Sequence, residues 1–443
     1  MPNHARSTRP LGNPRAVASA VLTDLLDRGR SLNPALEAHG GALADARDRA
    51  LARELCYGVA RWLPRLELCL QRLMDKPLRK RESRVRAVLL LGLYQLMYTR
   101  IAEHAAVAES VALVRGAGRD WAAGLVNGVL RSFQRQRAQL IHDLDACEQG
   151  RYAHPLWLID ATREAWPGDW QRILESNNER PPMALRVNTR RTTRDAFLAE
   201  LAHQGIEASP IAHTPHGLRL HSPRDVAALP GFAQGRVSVQ DGGAQLAGPL
   251  LDVGAGMRVL DACAAPGGKS TALLESQPEL DELVAVDSDG ERLARLRQNL
   301  TRLSLQATVV CGDAGDPGQW WDGRAFDRIL ADVPCTGSGV IRRHPEIKLQ
   351  RRPEDVETLA AGQLRLLDRL WPLVARRGRL LYATCSYLPR ENDHVLAEFL
   401  AKHPDAAGVP ISRAWGRATD HGRQVLPGED TMDGFYYALL GKR

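Results

Sequence analysis

The sequence predicts three successive architectures: an all-α N-terminal domain, a small α+β connecting segment, and a C-terminal α/β domain of Rossmann-like type. Three observations predict them. Helical periodicity runs from about Pro14 to Gln139 without a strand signal, the pattern changes around Arg180, and from about Val237 short apolar strands alternate with helices. On this basis we expect domains at residues 1–145, 146–236 and 237–443.

The N-terminal third has the apolar spacing of packed helices. Val17, Val21 and Leu25 lie on one helical face, and Gly29 is placed to end that helix. The run from Val85 to Met97 is apolar nearly all round, which is typical of a central, buried helix. The sequence therefore predicts a helical bundle.

The net positive charge belongs to the same third of the chain. Residues 1–150 hold 23 Lys and Arg against 15 Asp and Glu, whereas the rest of the chain holds 36 against 37. A basic domain suits a polyanionic partner such as RNA. A solvated basic face that only aids solubility is the alternative.

Cysteine usage and hydropathy indicate the compartment. The seven cysteines are far apart, and no pair has the CxxC spacing of a zinc or redox motif. The chain opens without a secretory signal, and its most apolar run, Ala87–Tyr98, is shorter than a membrane-spanning helix. We expect a cytoplasmic monomer with no membrane partner, no disulfide framework and no metal.

The middle and C-terminal segments contain the strand signals. The connecting segment is predicted to have strands at Ala184–Val187 and Gly217–Leu220 around a helix at Thr193–His203. The C-terminal domain is predicted to be a parallel, doubly wound sheet with helices that include Glu291–Leu303 and Asp355–Val374. Its expected strands are Arg258–Leu260, Leu283–Val286, Thr308–Val310, Asp327–Ala331 and Arg379–Ala383.

A small-residue loop follows the first strand of that sheet. The stretch Asp261–Ser270 reads DACAAPGGKS, and Asp287 ends the next strand, 19 residues after Gly268. Ligands bind beyond the carboxyl ends of such strands, and an acid at about this distance binds ribose hydroxyls. A phosphate-binding P-loop would need glycine where Cys263 stands, and the dinucleotide fingerprint is absent. The loop fits S-adenosylmethionine. A tight turn that binds no ligand is the remaining alternative.

Asp313 follows the next strand along the chain. Its carboxylate could accept a hydrogen bond from an adenine amino group. For both Asp287 and Asp313 the alternative is a helix cap.

Two cysteines follow strand ends at the same predicted edge, Cys335 after Ala331 and Cys385 after Ala383. A thiolate that adds to carbon 6 of cytosine makes carbon 5 nucleophilic, and Asp332 could supply the proton or hydrogen bond needed at ring nitrogen 3. Methyl transfer to a nitrogen or a ribose hydroxyl would need no cysteine. An isolated cysteine is usually a small buried hydrophobe, which is the default for the other four outside the loop and these motifs: Cys56, Cys69, Cys147 and Cys311.

Three segments, Asp261–Ser270, Asp332–Gly339 and Thr384–Ser386, closely resemble the signature motifs of the Nop/Sun family of RNA cytosine-C5 methyltransferases. The N-terminal third, through Glu54–Gly58 and Val126–Leu130, resembles a NusB-like RNA-binding domain, as in the bacterial Sun/Fmu type. Further similarity lies in Val239–Asp241, Ile341–Glu346 and Met432–Phe435.

The resemblance implies a class I methyltransferase fold, S-adenosyl-L-methionine as cofactor, and 16S ribosomal RNA or a small-subunit assembly intermediate as partner, with cytosine 967 as the target. It also implies that Cys385 is the nucleophile and that Cys335 assists product release. The cofactor contacts that it implies are Cys263, Ala264, Ala265, Pro266, Gly267, Gly268, Lys269, Asp287, Asp313 and Asp332.

Two rival functions come from other classes. A P-loop NTPase is disfavoured by Cys263 and by the lack of a Walker-type acidic strand. A non-enzymatic RNA-binding factor would not need Cys335 and Cys385. Binding of S-adenosylmethionine or of ATP by the purified protein would distinguish these possibilities.

Overall fold

The computed structural model describes residues 12–443. The α-helices are α1 (Pro14–Arg28), α2 (Leu32–Gly40), α3 (Ala46–Leu73), α4 (Ser83–Tyr98), α5 (Glu103–Gly116), α6 (Ala122–Asp145), α7 (Glu148–Tyr152), α8 (Leu156–Ala165), α9 (Trp170–Asn177), α10 (Arg194–His203), α11 (Gly242–Gln245), α12 (Ala247–Leu251), α13 (Gly268–Ser276), α14 (Gly290–Leu303), α15 (Ile347–Gln350), α16 (Pro353–Leu370) and α17 (Asp393–Lys402). The strands are β1 (Met183–Val187), β2 (Ala208–Pro210), β3 (Gly217–Leu220), β4 (Val237–Val239), β5 (Arg258–Ala262), β6 (Glu282–Asp287), β7 (Thr308–Cys311), β8 (Phe326–Asp332), β9 (Val374–Thr384), β10 (Ala406–Val409), β11 (Arg417–Ala418), β12 (Arg423–Val425) and β13 (Phe435–Lys442).

The chain divides into two compact units. The first contains the described residues up to Glu179 together with Ile341–Arg351, and the second contains the remaining residues, 180–340 and 352–443. None of the helices within residues 12–443 combines the length and the apolar character needed to cross a membrane.

The first unit is helical, as the sequence predicts. Gly29 ends α1 in the left-handed conformation, with φ 60°, and its N–H donates to the carbonyls of Asp24 and Leu25. The apolar helix α4 is buried from Val85 to Leu96 apart from Arg86, so it forms the centre of the bundle.

A segment from much later in the chain completes this unit. Lys348 is fully buried, and its Nζ donates to the carbonyl of Arg61 at 2.6 Å and to Oδ1 of Asn178 at 2.7 Å. Glu346 accepts the N–H of Leu32, the first residue of α2, at 3.2 Å. The segment Ile341–Arg351 is therefore part of the core of the first unit rather than a surface loop.

The second unit begins with a small antiparallel sheet in the order β2-β3-β1-β4. Its apolar face packs against α10, whose Phe197 and Leu201 are buried. Thr193 caps α10 by accepting the N–H of Ala196. The α+β character predicted for this part of the chain is confirmed. The domain boundaries predicted at residues 145 and 236 remain predictions.

The larger sheet has the order β11-β12-β13-β9-β8-β5-β6-β7, with β10 paired to β13. The strands β5 to β9 run parallel, as predicted, but β13 is antiparallel to β9, so the sheet is mixed. The prediction of a purely parallel sheet was wrong because the apolar run Phe435–Leu440 was not recognised as a strand.

The helix predicted at Asp355–Val374 ends earlier than expected. Helix α16 stops at Leu370, a short 3-10 turn covers 371–373, and Val374 opens β9. Pro372 explains the stop, because proline lacks the N–H and its ring clashes with the preceding helical turn.

The burial of Lys348 generates a prediction about pH. Desolvation lowers the pKa of Lys348 well below its usual 10.5, and the nearby Arg61 charge adds to this effect. The unfolded chain therefore binds a proton that the folded chain lacks, so stability should rise with pH until the unfolded lysine also loses its proton. The slope of the unfolding free energy should reach up to about 1.4 kcal/mol per pH unit.

Lys348→Met should remove that contribution. Urea unfolding followed by circular dichroism between pH 7 and pH 10 measures the slope in both proteins, and groups common to both cancel in the difference. Equal slopes would show that Lys348 is charged in the folded protein.

Candidate active site

The loop after β5 has a backbone that small residues permit. Cys263 has φ 65° and Gly267 has φ 97°, both in the left-handed region. A Cβ on Gly267 would lie 2.8 Å from Cγ of Leu296, so only glycine fits. Helix α13 begins at the next residue, which points the free N–H groups of its first turn toward the edge of the sheet.

Asp287, at the end of β6, holds this loop in place. Its Oδ2 accepts the N–H of Ala265 at 3.0 Å, and its Oδ1 accepts the N–H of Asp289 at 2.9 Å. The cap of α14 is Asp289 itself, which accepts the N–H groups of Glu291 and Arg292. Asp287 is thus not the helix cap that the sequence left open.

A cavity of about 420 Å³ lies beyond the ends of β5, β6 and β7. Its lining includes Cys263, Asp287 and Asp313, together with Pro334 from the loop after β8 and Gln363 of α16. Asp313 is exposed, and its Oδ1 accepts the N–H of Gly315 at 2.8 Å, which shapes a turn. A cavity of this volume with a few acidic groups fits a nucleoside-sized ligand.

Lys269 and Asp332 form an ion pair beside the loop. Nζ of Lys269 donates to Oδ2 of Asp332 at 2.7 Å and lies 5.1 Å from the ring centre of Phe435. Burial alone would lower the pKa of Lys269, but the charge and the hydrogen bond of Asp332 outweigh it and raise the pKa above 10.5. The pair therefore holds a proton between α13 and the end of β8.

The two motif cysteines are in contact. The Sγ atoms of Cys335 and Cys385 are 3.3 Å apart, and both residues are partly buried. The hydrogen bond to Cys385 raises the pKa of Cys335 well above 9, and burial raises it further. Cys335 accordingly keeps its proton and can donate it toward the sulfur of Cys385.

Glu391, which the sequence pattern did not indicate as functional, lies fully buried six residues after Cys385. Its carboxylate accepts hydrogen bonds from residues that follow each cysteine, the N–H and hydroxyl of Thr336 at 2.7 and 2.5 Å and the hydroxyl of Ser386 at 2.7 Å. Burial raises its pKa above 4.5. The one sequence feature that could have indicated Glu391 is its position, since it is a charged residue only six positions after the cysteine that follows β9.

Asp261 is a second buried carboxyl that the sequence pattern did not indicate as functional. It is buried at the end of β5 and accepts the Ser270 hydroxyl at 2.5 Å, and its Oδ1 has no hydrogen-bond partner among residues 12–443. Burial raises its pKa to about 7, against the hydrogen bond from Ser270. The carboxyl therefore titrates near neutral pH beside the loop.

Arg186 of β1 connects the small sheet to α13. Its guanidinium donates to both carboxylate oxygens of Glu275 at 2.9 Å and to the carbonyl of Gly268 at 2.7 Å. Removing one partner of such a buried pair typically costs about 3–5 kcal/mol. The small sheet thus fixes the start of α13 and, with it, the loop.

Comparison with known proteins gives matches along nearly the whole chain. A family model described as 16S rRNA methyltransferase RsmB/F matches residues 249–441, an RsmF/B-like ferredoxin-like domain matches 154–227, and the NusB family matches 12–135. Ribosomal RNA small subunit methyltransferase B of Pseudomonas putida is 48% identical over 97% of this chain and 98% of that protein. The protein of the same name from Vibrio cholerae is 47% identical, with the same coverage of both chains.

Solved structures share the fold. The crystal structure of PH0851 superposes with a TM-score of 0.81 at 22% identity, covering 97% of this chain and 99% of that one. A methyltransferase homolog protein from Pyrococcus horikoshii has a TM-score of 0.60 at 26% identity, covering 68% of this chain and 99% of that one. The fold of the chain is thus shared with solved structures.

Proposed function

The chain belongs to the RsmB/F family of 16S rRNA methyltransferases, which use S-adenosylmethionine, and from that premise we propose that it methylates carbon 5 of a cytosine in 16S ribosomal RNA. The observation that carries the proposal is the contact between Cys335 and Cys385. Transfer to carbon 5 needs a covalent nucleophile, whereas transfer to a nitrogen or a hydroxyl does not. By resemblance, the target is cytosine 967.

The cavity at the ends of β5, β6 and β7 is the proposed cofactor site, with S-adenosylmethionine supplying a methyl group from its sulfonium. Asp287 is suited to accept from the ribose hydroxyls, because its carboxylate is fixed by two backbone N–H groups. Asp313, exposed on the same cavity, is suited to accept from the adenine amino group. The loop Cys263–Lys269 provides backbone groups that a ligand can approach closely.

The proposed reaction divides between the two cysteines. The Cys385 thiolate adds to carbon 6 of the cytosine, and a proton or hydrogen bond at ring nitrogen 3, from the Lys269–Asp332 pair, stabilises the added electrons. Carbon 5 then takes the methyl group, whose bond to the sulfonium sulfur breaks and leaves a neutral thioether. A base removes the carbon 5 proton, and the electrons of that bond re-form the double bond between carbons 5 and 6 as the bond from carbon 6 to the Cys385 sulfur breaks. The proton at nitrogen 3 returns to the Lys269–Asp332 pair, and Cys335 gives its proton to the departing thiolate.

The first unit is the proposed RNA anchor. The basic excess of residues 1–150 and the match of residues 12–135 to the NusB family both support this part of the proposal. Phosphate neutralisation by Arg and Lys gives affinity without sequence preference, so the choice of cytosine would fall to the second unit.

The function is tested with 16S ribosomal RNA, methyl-labelled S-adenosylmethionine and bisulfite sequencing of the product. Wild-type protein should protect one cytosine, and Cys385→Ala should abolish that methylation while still binding the cofactor. Cys147→Ala, a half-buried cysteine of the first unit, is the matched control and should remain active. Normal turnover by Cys385→Ala would exclude it as the nucleophile.

Cys335→Ala should fail at a different step. If Cys335 returns a proton to the departing thiolate, its loss should leave RNA bound to Cys385. A denaturing gel should then show a slow protein band that RNase removes, and the double variant with Cys385→Ala should lack the band. Unchanged turnover together with no band would mean that Cys335 only packs beside its neighbour.

Asp287→Ala should weaken cofactor binding by about ten- to a hundredfold, because hydrogen bonds to a charged acceptor typically contribute about 1.5–3 kcal/mol. Calorimetry with S-adenosylmethionine measures this. Asp289→Ala, which removes the cap of α14, is the control and should keep affinity within about twofold, since the cap contributes mainly to helix stability. Equal losses in both variants would assign the effect to the helix rather than to the ribose.

A further inference from the structure

Both carboxylate oxygens of Glu391, in the core of the second unit, accept hydrogen bonds. It ends the 3-10 turn Pro389–Glu391, and its side chain is fully buried. Oε1 accepts the N–H of Thr336 at 2.7 Å and Nε2 of Gln363 at 3.2 Å. Both are obligatory donors, which matches a carboxylate, an acceptor-only group.

The other oxygen joins the two loops that carry the cysteines. Oε2 accepts the hydroxyl of Thr336 at 2.5 Å and the hydroxyl of Ser386 at 2.7 Å. Thr336 directly follows Cys335, and Ser386 directly follows Cys385. One carboxylate oxygen therefore holds the immediate neighbours of both cysteines, 50 residues apart in the chain.

Both hydroxyls have further polar neighbours. Ser386 Oγ accepts the N–H of Leu388 at 3.0 Å, and Thr336 Oγ1 lies 3.4 Å from the N–H of Ser338. Ser386 Oγ also lies 3.0 Å from Oγ of Ser338 and 3.4 Å from Oγ1 of Thr336. These contacts form one buried network that joins the two cysteine loops, with Glu391 as its carboxylate.

A buried negative charge at this place opposes the loss of the proton from Cys335. The hydrogen bond to Cys385 and then burial are the larger reasons why the pKa of Cys335 is raised, and the charge of Glu391 adds to them. A backbone bond also joins the two cysteine segments, because the carbonyl of Cys385 accepts the N–H of Gly339 at 2.9 Å.

We propose that Glu391 is a positioning residue that clamps the two cysteine loops together and so holds Cys335 against Cys385, the sulfur that attacks. The inference rests on the proposed function for its catalytic meaning. The clamp is itself a property of the free protein, and its effect on Cys335 can be measured without RNA or cofactor.

The test is Glu391→Gln, which keeps the shape but removes the charge and places an amide donor opposite other donors. Each cysteine is followed separately by iodoacetamide alkylation from pH 6 to pH 10 and peptide mass spectrometry. Alkylation of Cys335 should begin at lower pH in the variant than in wild type. In the methylation assay kcat should fall roughly tenfold or more, since about 1.4 kcal/mol of lost transition-state stabilisation gives that factor, while KM for RNA stays within about twofold.

Glu398→Gln is the matched control. Glu398 is exposed and pairs with Arg390, which also pairs with Glu357, so this variant removes the same charge nearby without touching either loop. It should reproduce the wild-type alkylation profile and kcat. If Glu391→Gln does not fold, Thr336→Val with Ser386→Ala removes the two hydroxyls and leaves the carboxylate, and it should lower kcat in the same way.

An alkylation profile for Glu391→Gln identical to that of wild type would overturn the proposal, as would a change in KM alone. If wild-type protein shows no cytosine methylation but the alkylation shift is present, the proposed function fails while the clamp stands. The two failures are therefore distinguishable.

Discussion

The parallel pairing of β5, β8 and β9 is the constraint on which the site depends. Ala262 lies opposite Ala331, and Asp332 lies opposite Ala383, so the three strands end at one edge within a residue or two of each other. Because parallel strands share a direction, the loops that follow them must meet there. A shift of one residue in β9 would turn its side chains to the opposite face of the sheet and displace Cys385 from Cys335.

The edge is polar and largely buried, so its charged groups need partners. The structure supplies many of them in pairs that connect different elements: Lys269 with Asp332, Arg186 with Glu275, and Glu391 with the two hydroxyl-bearing loops. Unpaired charges in such surroundings are costly, whereas satisfied networks hold a single arrangement. The same bonds that stabilise the edge therefore fix where the reactive groups point.

The sequence predicts much of this and misses the rest for physical reasons. Strand ends and small-residue loops are local features, so the positions of Cys263, Asp287 and Cys335 follow from the pattern of apolar runs. Partners across the fold are not local. Nothing in the neighbourhood of Glu391 along the chain shows that Thr336 would be its donor. The antiparallel strand β13 was missed for the same reason, since the short apolar run Phe435–Leu440 does not indicate which strand it pairs with.

The eleven residues Ile341–Arg351 have a consequence for synthesis of the protein. They belong to the first unit, and Lys348 bonds to Arg61 across 287 residues of chain. These contacts cannot form until the ribosome has made that segment, by which time β5 to β8 already exist. Closing so long a loop is slow relative to local helix formation. The apolar core of the N-terminal helices can therefore form first, and the buried polar contacts of Lys348 and Glu346 are added to it late in synthesis.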